Sequence, residues 1–392
     1  GIMLTLLLVC MLTLAFNAQP VRGSETIHIR ADGSVDPPTA PLRRSGDTYM
    51  LTDNIMCDAQ FGIDIERDNM TLDGAGYSIH GSAATLEWGS GSEGIDLFSR
   101  VNVTVKSVNI DLFKWGIRLL TGSDCIVANS NITNSLKCGI HIGGKNNTIV
   151  GNNITNNVTN NISCGIMLEN SSNNTIFGNN IVGNQHGIYM NTVYPYPPNY
   201  DRIIGNNITE NWGVGLLMLY SQHCYIAGNN LINNWRGIVL SLSSDNNIIG
   251  NNATNNDWGI VLDPGSYGNT LRTNKLDGNN YGLEVHTHDV PVNDVDVSNT
   301  VNGKPIYYWI NKADMTVPVD AGYVVLANCT GILVQNLNLT RNGEGVLLVY
   351  TKNSTITNND LTYNYDGIQL QYSNNNTISN NNISHNSESG IY

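Results

Sequence analysis

The stretch NNLINNWRGIVLSLSSDNNIIGNNATNNDWGIVL (residues 229–262) decides the fold. It holds two Gly-led segments, at Gly237 and Gly259, that stand 22 residues apart. In each, the second and fourth positions are apolar: Ile238 and Leu240, then Ile260 and Leu262. Alternation with period two marks a strand with one buried face. Eleven and sixteen residues past the glycine come two more apolar points, Ile226 and Leu231 after Gly215, and Ile356 and Leu361 after Gly345. Each unit therefore offers three short strands separated by Asn- and Gly-rich turns. Such a unit cannot bury its apolar face alone, but stacked neighbours share a continuous core.

The Gly-led strand recurs at Gly94, Gly116, Gly139, Gly165, Gly187, Gly215, Gly237, Gly259, Gly282, Gly322, Gly345, Gly367 and Gly390. Nine of the twelve steps are 22 or 23 residues, so the three longer ones read as insertions. This predicts an all-β fold, a right-handed single-stranded parallel β-helix of three short strands per coil. The L-x-x-L-x-L pattern of a leucine-rich repeat is missing. Ile117, Ile140, Ile166, Ile188, Ile238 and Ile260 should form one inward column, with Leu119, Ile142, Leu168, Met190, Leu240 and Leu262 beside it. Asn184, Asn234, Asn256, Asn279, Asn342 and Asn364 each lie three residues before a repeat glycine and should stack in a ladder. Asn tolerates the left-handed turn, and its amide bonds the coils above and below.

Composition agrees. Of 392 residues 60 are Asn and 39 Gly, which speaks against helical bundles and coiled coils. The net charge of −13, with no basic run, speaks against nucleic acid as a partner. Residues 2–16 (IMLTLLLVCMLTLAF) are apolar and uncharged, short for a membrane span of about 20 residues and right for a signal-peptide core; an uncleaved anchor helix is the alternative. No membrane insertion of the mature chain is expected, and an extracellular, cell-surface or periplasm-like location is. The chain divides into a signal peptide (1–23), an N-terminal cap with irregular coils (24–93), β-helix coils (94–285), an inserted loop or hairpin flap (286–320) and further coils (321–392). The regular coil should resume by Gly322, at a position equivalent to Gly282. The sequence stops mid-strand at Tyr392, so further C-terminal domains are expected. Sixteen N-x-S/T sequons, Asn131, Asn207 and Asn252 among them, follow from the NIT/NNT repeat, and a few on turns are candidates for glycosylation.

From residue 26 onward the chain resembles the NosD-like family of β-helix repeat proteins, also described as carbohydrate-binding and sugar-hydrolase repeats. The resemblance rests on DNMTLDGAGYSIHG (68–81), the NNTI-x-GNNI-x-N units, and NTVNGKPIYYW (299–309) followed by DAGYVVLANCTGILVQNLNLT (320–340). That last combination is similar to exported archaeal members. The resemblance implies a β-helix and makes copper a candidate cofactor, with calcium beside it.

Three classes of function follow. For a metal, Cys138 and Cys164 each immediately precede a repeat glycine, and adjacent coils bring such positions about 5 Å apart, within disulfide reach. With His141, Met167 and His186 they make the soft donor set that copper(I) prefers; a disulfide or a free thiol pair is the other state. His286-x-His288 with Asp289 is a second chelating candidate. For an enzyme, Tyr281-Gly282-Leu283-Glu284-Val285-His286 is similar to the Tyr-Gly-Phe-Asp-Pro-His core of alginate epimerases, with Glu for Asp and Val for Pro. That similarity implies a lyase or epimerase in which Tyr281 and His286 handle protons at the sugar C5 and Glu284 helps neutralise a uronate. No clustered Asp pairs are apparent on the Gly-led strands. For binding, Trp212, Trp235, Trp258 and Tyr281 follow at steps of 23 and, with Tyr189, suggest an aromatic strip for sugar faces or a protein. The outward run Met167, Tyr189, Leu217, Val239 and Val261 is too apolar for a wetted face. The favoured reading is a non-catalytic exported or cell-surface module whose partner is a polysaccharide or surface glycoprotein.

Overall fold

The structure, a computed structural model, describes residues 21–23, 25–82, 85, 91–157, 163–192, 199–286 and 292–392. Residues 1–20 of the expected signal peptide, and His288 and Asp289, lie outside them. Among the described residues no helix is long and apolar enough to cross a membrane.

Each coil contributes one strand to each of three long sheets. Arg236–Ser241, Asn247–Ile249 and Asn252–Thr254 pair in parallel with Trp258–Leu262, Thr270–Arg272 and Lys275–Leu276 of the next coil. The Gly-led strands from Gly94 to Gly282 lie in a 12-stranded sheet that ends at Tyr281–Val285. The two inward columns read from the sequence are fully buried. The repeat glycine is set by close approach: a Cβ on Gly187 would lie 2.5 Å from the Gly215 carbonyl oxygen one coil on. At the N-terminal end Val35–Asp36 and Leu42–Ser45 add antiparallel edge strands.

The expected Asn ladder runs Asn157, Asn184, Asn211, Asn234, Asn256, Asn279, each amide donating to the next side-chain oxygen over 2.8–3.3 Å; Asn342 and Asn364 do not continue it but pair separately in the C-terminal coils, the Asn342 N–H donating to Asn364 Oδ1 at 3.0 Å. A second ladder at another corner runs from Asn152 through Asn179, Asn206, Asn229, Asn251 and Asn274 to Asn299. These amides satisfy backbone groups that the tight turns strip of partners.

The expected flap over 286–320 needs correction. Asp294–Val295 and Thr300–Val301 pair in parallel with Thr270–Arg272 and Lys275–Leu276, so they complete the coil begun at Tyr281. The chain then reverses at Asn302-Gly303, both at positive φ, in a two-residue hairpin that suits an Asn-Gly pair. The returning strand Lys304–Ile310 pairs in parallel with Tyr323–Ala327. Gly322 is therefore not equivalent to Gly282. Its strand extends the sheet built by the third strand of each earlier coil, while the Gly-led sheet stops at Val285.

This switch closes the first stack. Tyr323–Ala327 and Glu344–Val349 are buried on both faces. Tyr323, Val325, Leu347 and Val349 join the long core with Leu283 and Val285, whereas Val324, Leu326, Val346 and Leu348 form a second core with Ile356, Leu361 and Ile368. The Gly282 N–H donates to Arg341 O at 2.7 Å and the Gly343 N–H to Leu283 O at 3.0 Å, sealing the edge strand.

Candidate functional site

The four aromatic residues spaced by 23 do not form one strip. Trp212 lies three residues before its repeat glycine, Trp235 two, Trp258 and Tyr281 one, so the even spacing drifts against the coil register. Trp212 (77% exposed) and Trp235 (49%) stand on the turn corner and flank a shallow groove of about 450 Å³ with Glu210, Asn211, Asn233, Asn234 and Asn255. The Arg236 guanidinium carbon sits 4.4 Å from the Trp235 ring centroid. Trp258, by contrast, has entered the strand and is buried against Tyr281 and Tyr365, with centroids 4.2 and 5.2 Å away. Tyr189 is buried too. The outward Val239 and Val261 are covered, within a cluster that includes Trp258 and Tyr365 from the C-terminal coils.

Glu284 and His286 come together, but Tyr281 does not join them. His286 Nε2 lies 2.6 Å from Glu284 and its Nδ1 3.2 Å from Asp263. Hydrogen bonding to Asp263 first, then to Glu284, pushes the imidazole up to about 10. The Tyr281 hydroxyl instead meets Ser387 Oγ at 2.6 Å. Across the junction the Tyr323 hydroxyl donates to Glu344, whose carboxyl burial raises to about 8. Burial also raises Asp366, which accepts the Ser389 N–H at 2.9 Å. Sequence reasoning missed Glu344, Tyr323 and Asp366. Glu344 and Asp366 share one signal, an acid directly before a repeat glycine, the position that also holds Cys138 and Cys164. The cluster ties the two stacks together, and its histidine is held between two carboxylates.

The soft donor set for copper is consumed. Cys138 and Cys164 form a disulfide with their Cα atoms 4.7 Å apart. His141 is buried, stacked on Trp115 at 4.5 Å and hydrogen-bonded through Nε2 to Glu169 at 3.0 Å. His186 Nδ1 accepts the Val214 N–H at 3.1 Å. Met167 is half-buried. Among the described residues one group of three candidate ligand atoms lies close together, His28, Asp64 and Glu66. Two of these are hard oxygens, and Arg30 already pairs with Glu66 at 2.6 Å. The described residues do not fit a copper(I) site.

A family model described as "Right handed beta helix region" matches residues 155–301 and 318–392, and one described as "Periplasmic copper-binding protein (NosD)" matches residues 45–195. No curated protein sequence matches the chain. Among solved structures, the periplasmic alginate epimerase AlgG aligns with TM-score 0.50 at 13% identity, over 67% of this chain and 80% of that one. A tailspike protein mutant of E. coli bacteriophage HK620 in complex with pentasaccharide aligns with TM-score 0.50 at 13% identity, over 85% of this chain and 67% of that one. At that identity the likeness shows the fold alone. Coil length, sheet register and a family model spanning more than half the sequence agree, and the chain belongs to the right-handed beta helix family, with residues 45–195 similar to its NosD branch.

Proposed function

We propose that the chain is an exported β-helix module that binds a polysaccharide along the corner carrying Trp212 and Trp235. One observation carries this reading: two indoles on adjacent coils stand exposed beside a groove rimmed by Asn and Glu side chains. Indole faces stack on the apolar faces of sugar rings, and amide and carboxylate groups bond the hydroxyl edges. Export is supported by the Cys138–Cys164 disulfide, a bond that persists in oxidising compartments, and by the periplasmic description of the NosD family. The epimerase and tailspike neighbours, named for an alginate and a pentasaccharide, suit a glycan ligand. A glycan array probed with the purified protein tests the reading. Binding to a defined set of neutral or acidic oligosaccharides is expected; no binding to any glycan, with the protein folded, would reject it.

A further inference from the structure

One stretch of surface carries no charged side chain over six successive coils: the outward face of the sheet built by the third strand of each coil, which shows two straight columns of side chains. One column holds an Asn in every coil from Asn131 to Asn252. The other holds Thr133, Thr155, Thr209 and Thr254, with Val182 and Ile232 in the two remaining places. Charge returns at both ends, with Asp111 one coil before and Lys275 one coil after. The repeat does not forbid it, since Asp360 takes the place of an Asn in the C-terminal coils. In a chain of net charge −13, this neutral face stands apart.

The face is also flat and held from within. Ile132, Ile154, Ile181, Ile208 and Leu231, the residues between the two columns, are fully buried. Along the Asn column each side-chain amide donates to the Asn oxygen of the coil before it, over 2.7–2.9 Å, which fixes the side chains. An Asn within such a ladder still has one N–H and one oxygen lone pair to offer. Thr155, Thr209 and Thr254 are half-exposed, and their hydroxyls have no protein partner among the described residues. Coils about 4.8 Å apart make the array roughly 24 Å long. One edge of it is the tryptophan corner. Thr209 is followed by Glu210 and Trp212, Ile232 by Asn233 and Trp235, and these four line the groove.

Taking that corner as a glycan site, on which this step depends, we propose that the site continues across the sheet face and that its ligand is a neutral polysaccharide in assembled form, a fibre or sheet of aligned chains. A face without walls cannot enclose a lone chain as concave sites do, so sufficient contact needs a partner that is itself flat. Amides and hydroxyls exchange hydrogen bonds with sugar hydroxyls, and equal groups repeated on every coil meet equal sugars with many weak contacts acting together. The missing charge gives polyuronates nothing to pair with, and the rest of a −13 chain repels them. A protein partner fits less well, because the two columns hold none of the aromatic, Met or Arg anchors of protein interfaces.

The test is retention of the purified full chain on insoluble cellulose, chitin, β-1,3-glucan and mannan, with calcium alginate and calcium pectate gels as acidic controls. Affinity for soluble oligosaccharides cut from the same polymers is read beside it by tryptophan fluorescence. The wild-type protein is expected to be retained on at least one neutral solid, with little change on adding salt. T133E/T155E sets two charges on the face away from the tryptophans and should reduce retention by about 10- to 100-fold while oligosaccharide affinity holds. T155E alone serves where the double variant melts early. T148E, the same change on the half-exposed outward side of the second strand, should keep both properties. W212A/W235A should lose oligosaccharide binding and weaken retention. Oligosaccharide binding without retention on any neutral solid, undiminished retention in the charged variants, or retention on the acidic gels alone would each overturn the proposal and leave the tryptophan corner standing. Full retention in W212A/W235A would overturn the continuity of face and corner, and no binding of either kind would remove both readings.

Discussion

Asp201 shows how much one atom matters in a ladder. It accepts the Asn174 N–H at 2.7 Å and the Asn174 amide at 3.0 Å, as the Asn rungs do, but its second oxygen replaces an amide donor. Burial lifts its carboxyl to about 7, against the lowering pull of those hydrogen bonds. An acid raised in the folded state contributes fully at pH below its unfolded value, near 4, and that contribution fades as pH climbs through the folded one. Asp201→Asn should therefore raise the melting temperature at pH 8 and change it little at pH 4, with a gain at pH 8 on the order of 2–4 kcal/mol. Equal shifts at both pH values, measured by circular dichroism melts, would show that Asp201 is not titrating. The tryptophans carry the complementary lesson. Their spacing of 23 was plain in the sequence, but exposure depends on position relative to a glycine register that steps by 22 as well as 23. Cys138 and Cys164 were legible because both keep that register.

At the scale of elements, the Gly-led strands and their inward columns were legible because period-two alternation and a fixed glycine repeat survive in every coil. The change of sheet after Val301 was not. The strand after Gly322 keeps the same apolar pattern while taking a different neighbour, and only the Asn302-Gly303 pair marks the reversal. The meeting of Glu284 with Glu344 was hidden for a related reason: the two are far apart in sequence. The junction should respond to alkali. Glu344, raised to about 8, contributes stability that fades as pH rises through that value, and His286, raised to about 10, contributes until pH passes 10. Glu284, Asp263 and Tyr323 hold these two groups, and Asp366 adds further negative charge. Hydrogen exchange at the Gly282 and Gly343 amides should accelerate between pH 8 and 10 beyond the intrinsic rise, while Ile140 in the first stack stays protected. Tyr323→Phe, which strips a buried carboxyl of its donor, should cost about 1–3 kcal/mol and, because that hydrogen bond holds the Glu344 carboxyl down, should move its titration to higher pH. Uniform exchange across both stacks would contradict the account of a sealed joint.

At the scale of the whole molecule, the outward face of the Gly-led sheet has three zones. Titratable groups crowd its N-terminal end, apolar residues fill the middle under a C-terminal cover, and the junction acids close the far end. The exposed indoles stand apart, on the turn corner. Architecture came directly from the repeat, whereas function depended on which outward positions the coil left open, a property of register and cover that one sequence does not display. The most direct test of the glycan-binding account is the affinity of the wild-type protein and of W212A, W235A and the double variant for an oligosaccharide selected on the array, measured by calorimetry at constant fold. Each single variant should weaken binding by about 5- to 30-fold and the double variant should abolish it, in keeping with about 1–2 kcal/mol per stacking face. Unchanged affinity in the double variant would contradict it.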